Sequence, residues 1–124
     1  MNKKISIVIP TFKEGKIIDV SVNKINEALK DEGLDFEILV IDDNSEDKTL
    51  EKINLISRKN KHIKVYLNNT SKGFGNSIVE GIKRANGEII CFVMADQSDS
   101  PLDIIKYFNV MTDNRCDCVF GDRW

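Results

Sequence analysis

Asp96 and Asp99 stand just past an apolar run, in the stretch Glu88-Ile89-Ile90-Cys91-Phe92-Val93-Met94-Ala95-Asp96-Gln97-Ser98-Asp99-Ser100-Pro101. Ile89 to Met94 reads as a buried strand and Ser100-Pro101 as the opening of a helix, which puts two carboxylates at a strand-to-helix junction. Ligands of open α/β sheets bind outside the carboxyl ends of the strands, and a carboxylate there can hold a divalent cation against a phosphate. A second acidic point, Asp42-Asp43, ends the apolar run from Phe36 to Ile41. A carboxylate in that place can accept hydrogen bonds from a base imide, an amino group or ribose hydroxyls. Pro10-Thr11-Phe12-Lys13-Glu14, after the first apolar run, adds a flat aromatic face for stacking and a further carboxylate.

These points need elements to hold them. Ile5 to Ile9 reads as a strand, and from Lys16 to Asp31 the residues Ile18, Val22, Ile25 and Leu29 recur at helical spacing until Gly33 stops the pattern. Phe36 to Ile41 is apolar almost throughout and therefore covered on both faces. Ser45 is the expected N-cap of a helix that starts with acidic Glu46 and Asp47 and turns Leu50, Ile53 and Ile56 inward. Ile63 to Leu67 alternates and suits a strand near the sheet edge, opened by a surface residue, His62. The next helix presents Ile78, Ile82 and Ala85 and closes at Asn86-Gly87, with Gly87 expected in a left-handed cap. After the fourth strand, Ser100 and Pro101 begin a helix carrying Leu102, Ile105 and Phe108, and Cys118 to Phe120 is expected as a short fifth strand. Strands alternating with helices predict an α/β fold: a doubly wound, mainly parallel sheet with right-handed crossovers and helices on both faces.

A length of 124 residues suits one domain with a real core. A net charge of -2 leaves no basic footprint for nucleic acid, and no apolar run approaches the ~20 residues of a membrane span. With only Asn2-Lys3-Lys4 before the first strand there is no room for a signal peptide, so a cytoplasmic setting is expected. Cys91, Cys116 and Cys118 make an odd count without a matching zinc pair and are expected as reduced, buried or half-buried thiols.

Pro10-Thr11-Phe12-Lys13-Glu14, Asp42-Asp43-Asn44-Ser45-Glu46-Asp47-Lys48-Thr49, Lys72-Gly73-Phe74-Gly75 and Met94-Ala95-Asp96 follow the first four strands in turn. In this order and spacing the whole chain resembles the nucleotide-sugar half of a family 2 glycosyltransferase of the GT-A fold, of the dolichyl-phosphate mannosyltransferase type. Val119-Phe120-Gly121-Asp122-Arg123 is similar to that family's Val-x-Gly-Ser-Arg segment. The resemblance implies a single domain over residues 1–124, truncated relative to a full GT-A domain. It implies that Pro10, Phe12 and Glu14 line a nucleotide pocket and that Ile41 and Asp43 meet the base or ribose. Asn69, Lys72, Ala95, Asp96 and Arg123 fall in its donor-binding segments. Asp42 reads equally well as a turn and cap residue, and Lys72 as solvated surface.

The family's metal motif is Asp-x-Asp, and Met94 stands where its first Asp would be. A thioether is a poor ligand for Mg²⁺ or Mn²⁺, so Asp96, alone or with Asp99, is left to hold the metal with the donor's phosphates. By resemblance the reaction is inverting transfer from a GDP- or UDP-sugar to a lipid-phosphate or saccharide acceptor. The family's catalytic base lies beyond the fifth strand, so the chain is expected to bind donor while being catalytically incomplete, and a homo-oligomer is compatible with this.

Gly73-Phe74-Gly75 lacks the third small residue of a dinucleotide fingerprint, since Ile78 occupies that place, and there is no P-loop. Two other classes stay open. A phosphoacceptor receiver would want acidic residues where this chain has Thr11 and Asn69, and a Lys near Arg123. A non-catalytic binding or interaction module is favoured by Met94 and the short length.

Overall fold

The structure, a computed structural model, describes residues 3–45, 48–68, 73–96 and 100–121. Its elements run β1 (Ile5–Thr11), α1 (Ile18–Asp31), β2 (Phe36–Asp42), α2 (Thr49–Lys59), β3 (Ile63–Leu67), α3 (Phe74–Arg84), β4 (Ile89–Phe92) and α4 (Pro101–Asn114). The strands form one parallel sheet in the order β3-β2-β1-β4, so the two most apolar strands lie inside it. Ile5, Ile7 and Ile9 register with Phe36, Ile38 and Val40 and share a core layer with α1, α2 and α4. On the opposite face Val8, Leu39 and Ile41 pack with Ala85 at the end of α3 and with Tyr66. This distribution is what a single crossover hand requires. The chain steps one way through α1 and α2, then reverses past β1 through α3, which must lie on the other face.

Local signals set several boundaries. Gly33, at φ 68°, ends α1: its N–H donates to the Lys30 carbonyl and that of Leu34 to the Leu29 carbonyl, the paired bonds of a Schellman cap. Ser100 caps α4 by accepting from the Leu102 N–H at 3.3 Å, with Pro101 in the first turn.

Other expectations need correction. Ser45 does not cap α2, which starts at Thr49 after Lys48. Its hydroxyl instead donates to Asp42 at 2.6 Å, a stronger acceptor brought close by the β2 turn. Glu46 and Asp47 lie outside the described residues. On α3 the buried positions are Ser77 and Gly81, whereas Ile82 is 45% exposed. A Cβ on Gly81 would stand 2.3 Å from Val8 Cγ1, so the helix approaches β1 on its smallest residues. Leu102 is exposed and Ile104 is buried beside Phe108. Gly87 is not among the residues of positive φ. Cys118 to Phe120 forms no strand, and Phe120 is 88% exposed, because no described strand lies beside it to share hydrogen bonds. For the same reason β4 is only half-buried, at an edge, and Cys116 and Cys118 are exposed. His62 is only partly exposed, stacked on the Phe36 ring with centroids 4.6 Å apart.

One buried charge stands at the amino end of the sheet. Glu37 accepts from Ser6 Oγ at 2.7 Å, from the Asn86 N–H at 2.7 Å and from Lys64 Nζ at 3.2 Å. Burial pushes its carboxyl up, but the bonds from Asn86, Ser6 and Lys64 and the charge of Lys64 together outweigh it and hold the group below its ordinary value. A lowered folded-state pKa contributes stability fully above the ordinary carboxylate range and loses it as pH falls through the lowered value. Glu37→Gln is therefore expected to cost about 2 kcal/mol at neutral pH, with the gap closing in acid. Urea midpoints of both proteins at about pH 7 and about pH 3 check this; an equal gap at both would refute it.

Candidate functional site

All four strands are parallel, so their carboxyl ends share one rim, and the order reverses between β1 and β4. Such a reversal leaves a crevice between diverging loops. Three loops leave this rim around β1. The first leaves β1 as Phe12-Lys13-Glu14; Phe12 is 44% exposed and Lys13 Nζ lies 5.2 Å from its ring centroid. Lys13 has φ 55°, and the Glu14 carbonyl accepts from the Ile17 and Ile18 N–H groups as the chain turns into α1.

The second loop leaves β2. Asp42 is fully buried, whereas Asp43, one residue on, is half-buried. Asp43 is tied to three segments: its N–H donates to the Thr11 carbonyl at 2.9 Å, Oδ1 accepts from Asn68 Nδ2 at 3.0 Å and Oδ2 from the Gly73 N–H at 2.9 Å. A carboxylate has about four lone-pair sites, so these two bonds fix its plane and leave acceptor capacity on both oxygens. The third loop follows β4. Ala95 is buried and its carbonyl accepts from Ser21 Oγ of α1 at 2.7 Å, while Asp96 beyond it is exposed.

Asp43 and Asp96 thus follow the two strands that flank β1, on the same rim. Phe12 and Glu14 lie between them at the end of β1. Pro10 and Ile41 are partners in register near the ends of β1 and β2, and both are buried. Ile41, expected to meet the base or ribose, is 0% exposed, and its side chain packs with Val8, Leu39 and Tyr66 in the α3 layer. Asn69, Lys72, Asp99 and Arg123 lie outside the described residues. The sequence reading missed Thr11, Ser45 and Asn68 as partners of the acidic pair. The Asp42-x-x-Ser45 spacing was a usable turn signal for Ser45, but nothing local marks Asn68, which arrives from β3.

Among the described residues no three His, Cys, Asp or Glu side chains are grouped to hold a metal ion. Asp96 has exposed Met94 two residues before it, whose thioether suits a hard cation poorly. This donor set fits a Mg²⁺ or Mn²⁺ ion whose remaining ligands are phosphates and water, and does not fit an all-protein cage.

The sequence model described as Glycosyl transferase family 2 matches residues 6–124. The chain is 33% identical over 121 residues to a dolichol-phosphate mannosyltransferase of Pyrococcus furiosus, covering 98% of this chain and 33% of that protein. It therefore spans about a third of that relative's length. Its fold is similar to a mannosyltransferase from Pyrobaculum calidifontis solved in complex with GDP-Man and Mn²⁺, at TM-score 0.67 and 20% identity, over 77% of this chain and 28% of that one. It is also similar to glucosyl-3-phosphoglycerate synthase from Mycobacterium tuberculosis solved with Mn²⁺, UDP and glucosyl-3-phosphoglycerate, at TM-score 0.73 and 21% identity, over 88% of this chain and 39% of that one.

Proposed function

Given that this chain belongs to glycosyltransferase family 2, we propose that it is the donor-binding part of a hexosyltransferase, taking a GDP- or UDP-sugar for inverting transfer to a lipid-phosphate or saccharide acceptor. The observation that carries this is the shared rim, with Asp43 and Asp96 on either side of the Phe12–Glu14 loop. The solved complexes of fold neighbours with GDP-Man or UDP support it.

In this reading the base stacks on Phe12 and presents an N–H to Asp43. The carboxylate, held by Asn68 and Gly73, can only accept. Guanine and uracil each carry a ring N–H on the edge that pairs in nucleic acids, whereas adenine and cytosine carry a ring acceptor there. An acceptor facing an acceptor is left unpaired, so Asp43 favours the first two bases. The carboxylates Glu14 and Asp96 then face the ribose and diphosphate side. When bound, Mg²⁺ or Mn²⁺ at Asp96 would neutralise charge on the departing nucleoside diphosphate. Lys72 and Arg123 are proposed to approach the phosphates.

Met94 in place of a metal-binding carboxylate favours a second reading, a nucleotide-sugar-binding module without catalysis. Neither reading needs a membrane span, and among the described residues no helix is long and apolar enough to be one. Thermal unfolding with GDP, UDP, ADP and CDP, each with and without Mn²⁺, tests the donor site. GDP or UDP at a hundred times its dissociation constant is expected to stabilise by about 2.7 kcal/mol, with ADP and CDP giving far less. Absence of any shift would refute donor binding. Calorimetry with GDP-mannose and UDP-glucose, followed by assay of transfer in the full-length enzyme, separates a transferase from a binding module.

A further inference from the structure

Beside Asp43 stands a carboxylate that the donor reading leaves without a task. Asp42 is 0% exposed, and no Lys or Arg among the described residues forms an ion pair with it. It accepts instead from Thr11 Oγ1 at 3.1 Å, Ser45 Oγ at 2.6 Å and the Ser45 N–H at 2.9 Å. A buried carboxylate is a costly way to fasten a turn. Its chemistry has one consequence that an apolar residue would not give and that an amide, which carries donors as well, would not enforce. A carboxylate accepts only, so the single hydroxyl proton of Ser45 must point at Asp42, and the Ser45 oxygen is left as an acceptor. The group that uses this acceptor is the Lys13 N–H, 2.9 Å away and 32 residues distant in sequence.

Lys13 is held at φ 55°, a left-handed conformation that residues other than glycine rarely adopt. Asn44, beside Ser45, is also left-handed, at φ 59°. The Ser45 hydroxyl therefore ties together two loops that each carry a left-handed residue. Phe12 and Glu14 flank Lys13, so their directions depend on the same bond. We propose that Asp42 is a positioning residue of the donor site: through Ser45 it fixes the Lys13 amide and thereby sets Phe12 and Glu14 against the Asp43 carboxylate. This deepens the donor reading and rests on it.

The test compares the intact protein with Ser45→Ala, Ser45→Thr and Asp42→Asn. GDP and UDP dissociation constants are measured by calorimetry well below every melting temperature, and melting is recorded without ligand. Loss of one such hydrogen bond predicts about tenfold weaker binding for Ser45→Ala, while Ser45→Thr, which keeps the hydroxyl, stays within about twofold. Asp42→Asn is expected to weaken binding at least as much as Ser45→Ala, and the double variant no more than Asp42→Asn alone, because both act through one bond. A lower melting temperature with unchanged dissociation constants would make the network structural only and overturn the positioning role. If the unsubstituted protein binds neither nucleotide, the donor reading itself fails and takes this role with it. Should Asp42→Asn not fold, the Ser45 pair decides.

Discussion

Asp43→Ala is expected to weaken GDP or UDP binding about 100-fold. That corresponds to one charge-assisted hydrogen bond from the base N–H at the upper end of its range, about 3 kcal/mol. The same substitution removes the acceptors of Asn68 Nδ2 and of the Gly73 N–H, so some loss would follow from displacement of the β3–α3 segment alone. Asp43→Asn separates the two effects. Its carbonyl oxygen can still serve one of the internal donors, but its amide presents N–H groups where the base also presents one. Asp43→Asn is thus expected to melt close to the unsubstituted protein and to bind nearly as poorly as Asp43→Ala. Calorimetry that found Asp43→Asn within about threefold of the unsubstituted protein would place base recognition elsewhere, a gap of only ~0.7 kcal/mol.

The largest expected loss of stability is at the opposite end of the sheet. Gly87→Ala is expected to cost about 3 kcal/mol, the upper end for overpacking. A Cβ there would stand 2.6 Å from Ser6 Oγ, 2.7 Å from Ser6 N and 2.9 Å from the Lys4 carbonyl oxygen. Two of these atoms are main chain at the start of the central strand, so no side chain can swing aside to make room. Moving the turn outward would break the bonds from Gly87 N to Ser6 Oγ at 2.7 Å and from Asn86 N to Glu37 at 2.7 Å, and so strip partners from a buried carboxylate. Gly75→Ala is the control: its Cβ would meet nothing within 4 Å and lies in a helix, where alanine gains up to about 1 kcal/mol over glycine. Urea unfolding of the two variants should shift in opposite directions, and a Gly87→Ala midpoint near that of the unsubstituted protein would show that the turn relaxes freely.

Much of the fold was legible because its signals are local. The almost wholly apolar run of β2 announced a strand covered on both faces, which is where it lies, and the β-rich run from Ile5 announced β1. The spacing of Ile18, Val22, Ile25 and Leu29 found the buried face of α1, and Gly33 found its end. Ser100 and Pro101 marked the start of α4 within one turn of the helix. The candidate rim was equally legible in part: the acidic pair after β2 and Asp96 after β4 share an edge for the plain reason that parallel strands all end on the same side.

Residue order alone determined where strands and helices alternate, which ends carry carboxylates, and hence a parallel sheet with an acidic rim. Only the tertiary structure decided which of two neighbouring aspartates is buried and which faces the crevice, why Ser77 and Gly81 rather than Ile82 meet the sheet, and that Gly87 serves close approach to β1. The division follows from range. Periodicity, capping and chain reversal depend on neighbours a few residues away, whereas the bonds that separate Asp42 from Asp43 come from Thr11, Ser45, Asn68 and Gly73 on four different segments. Apart from Ser45, three residues on from Asp42, those partners have no fixed spacing from the acidic pair, and they meet it only because β1 and β3 pair on either side of β2.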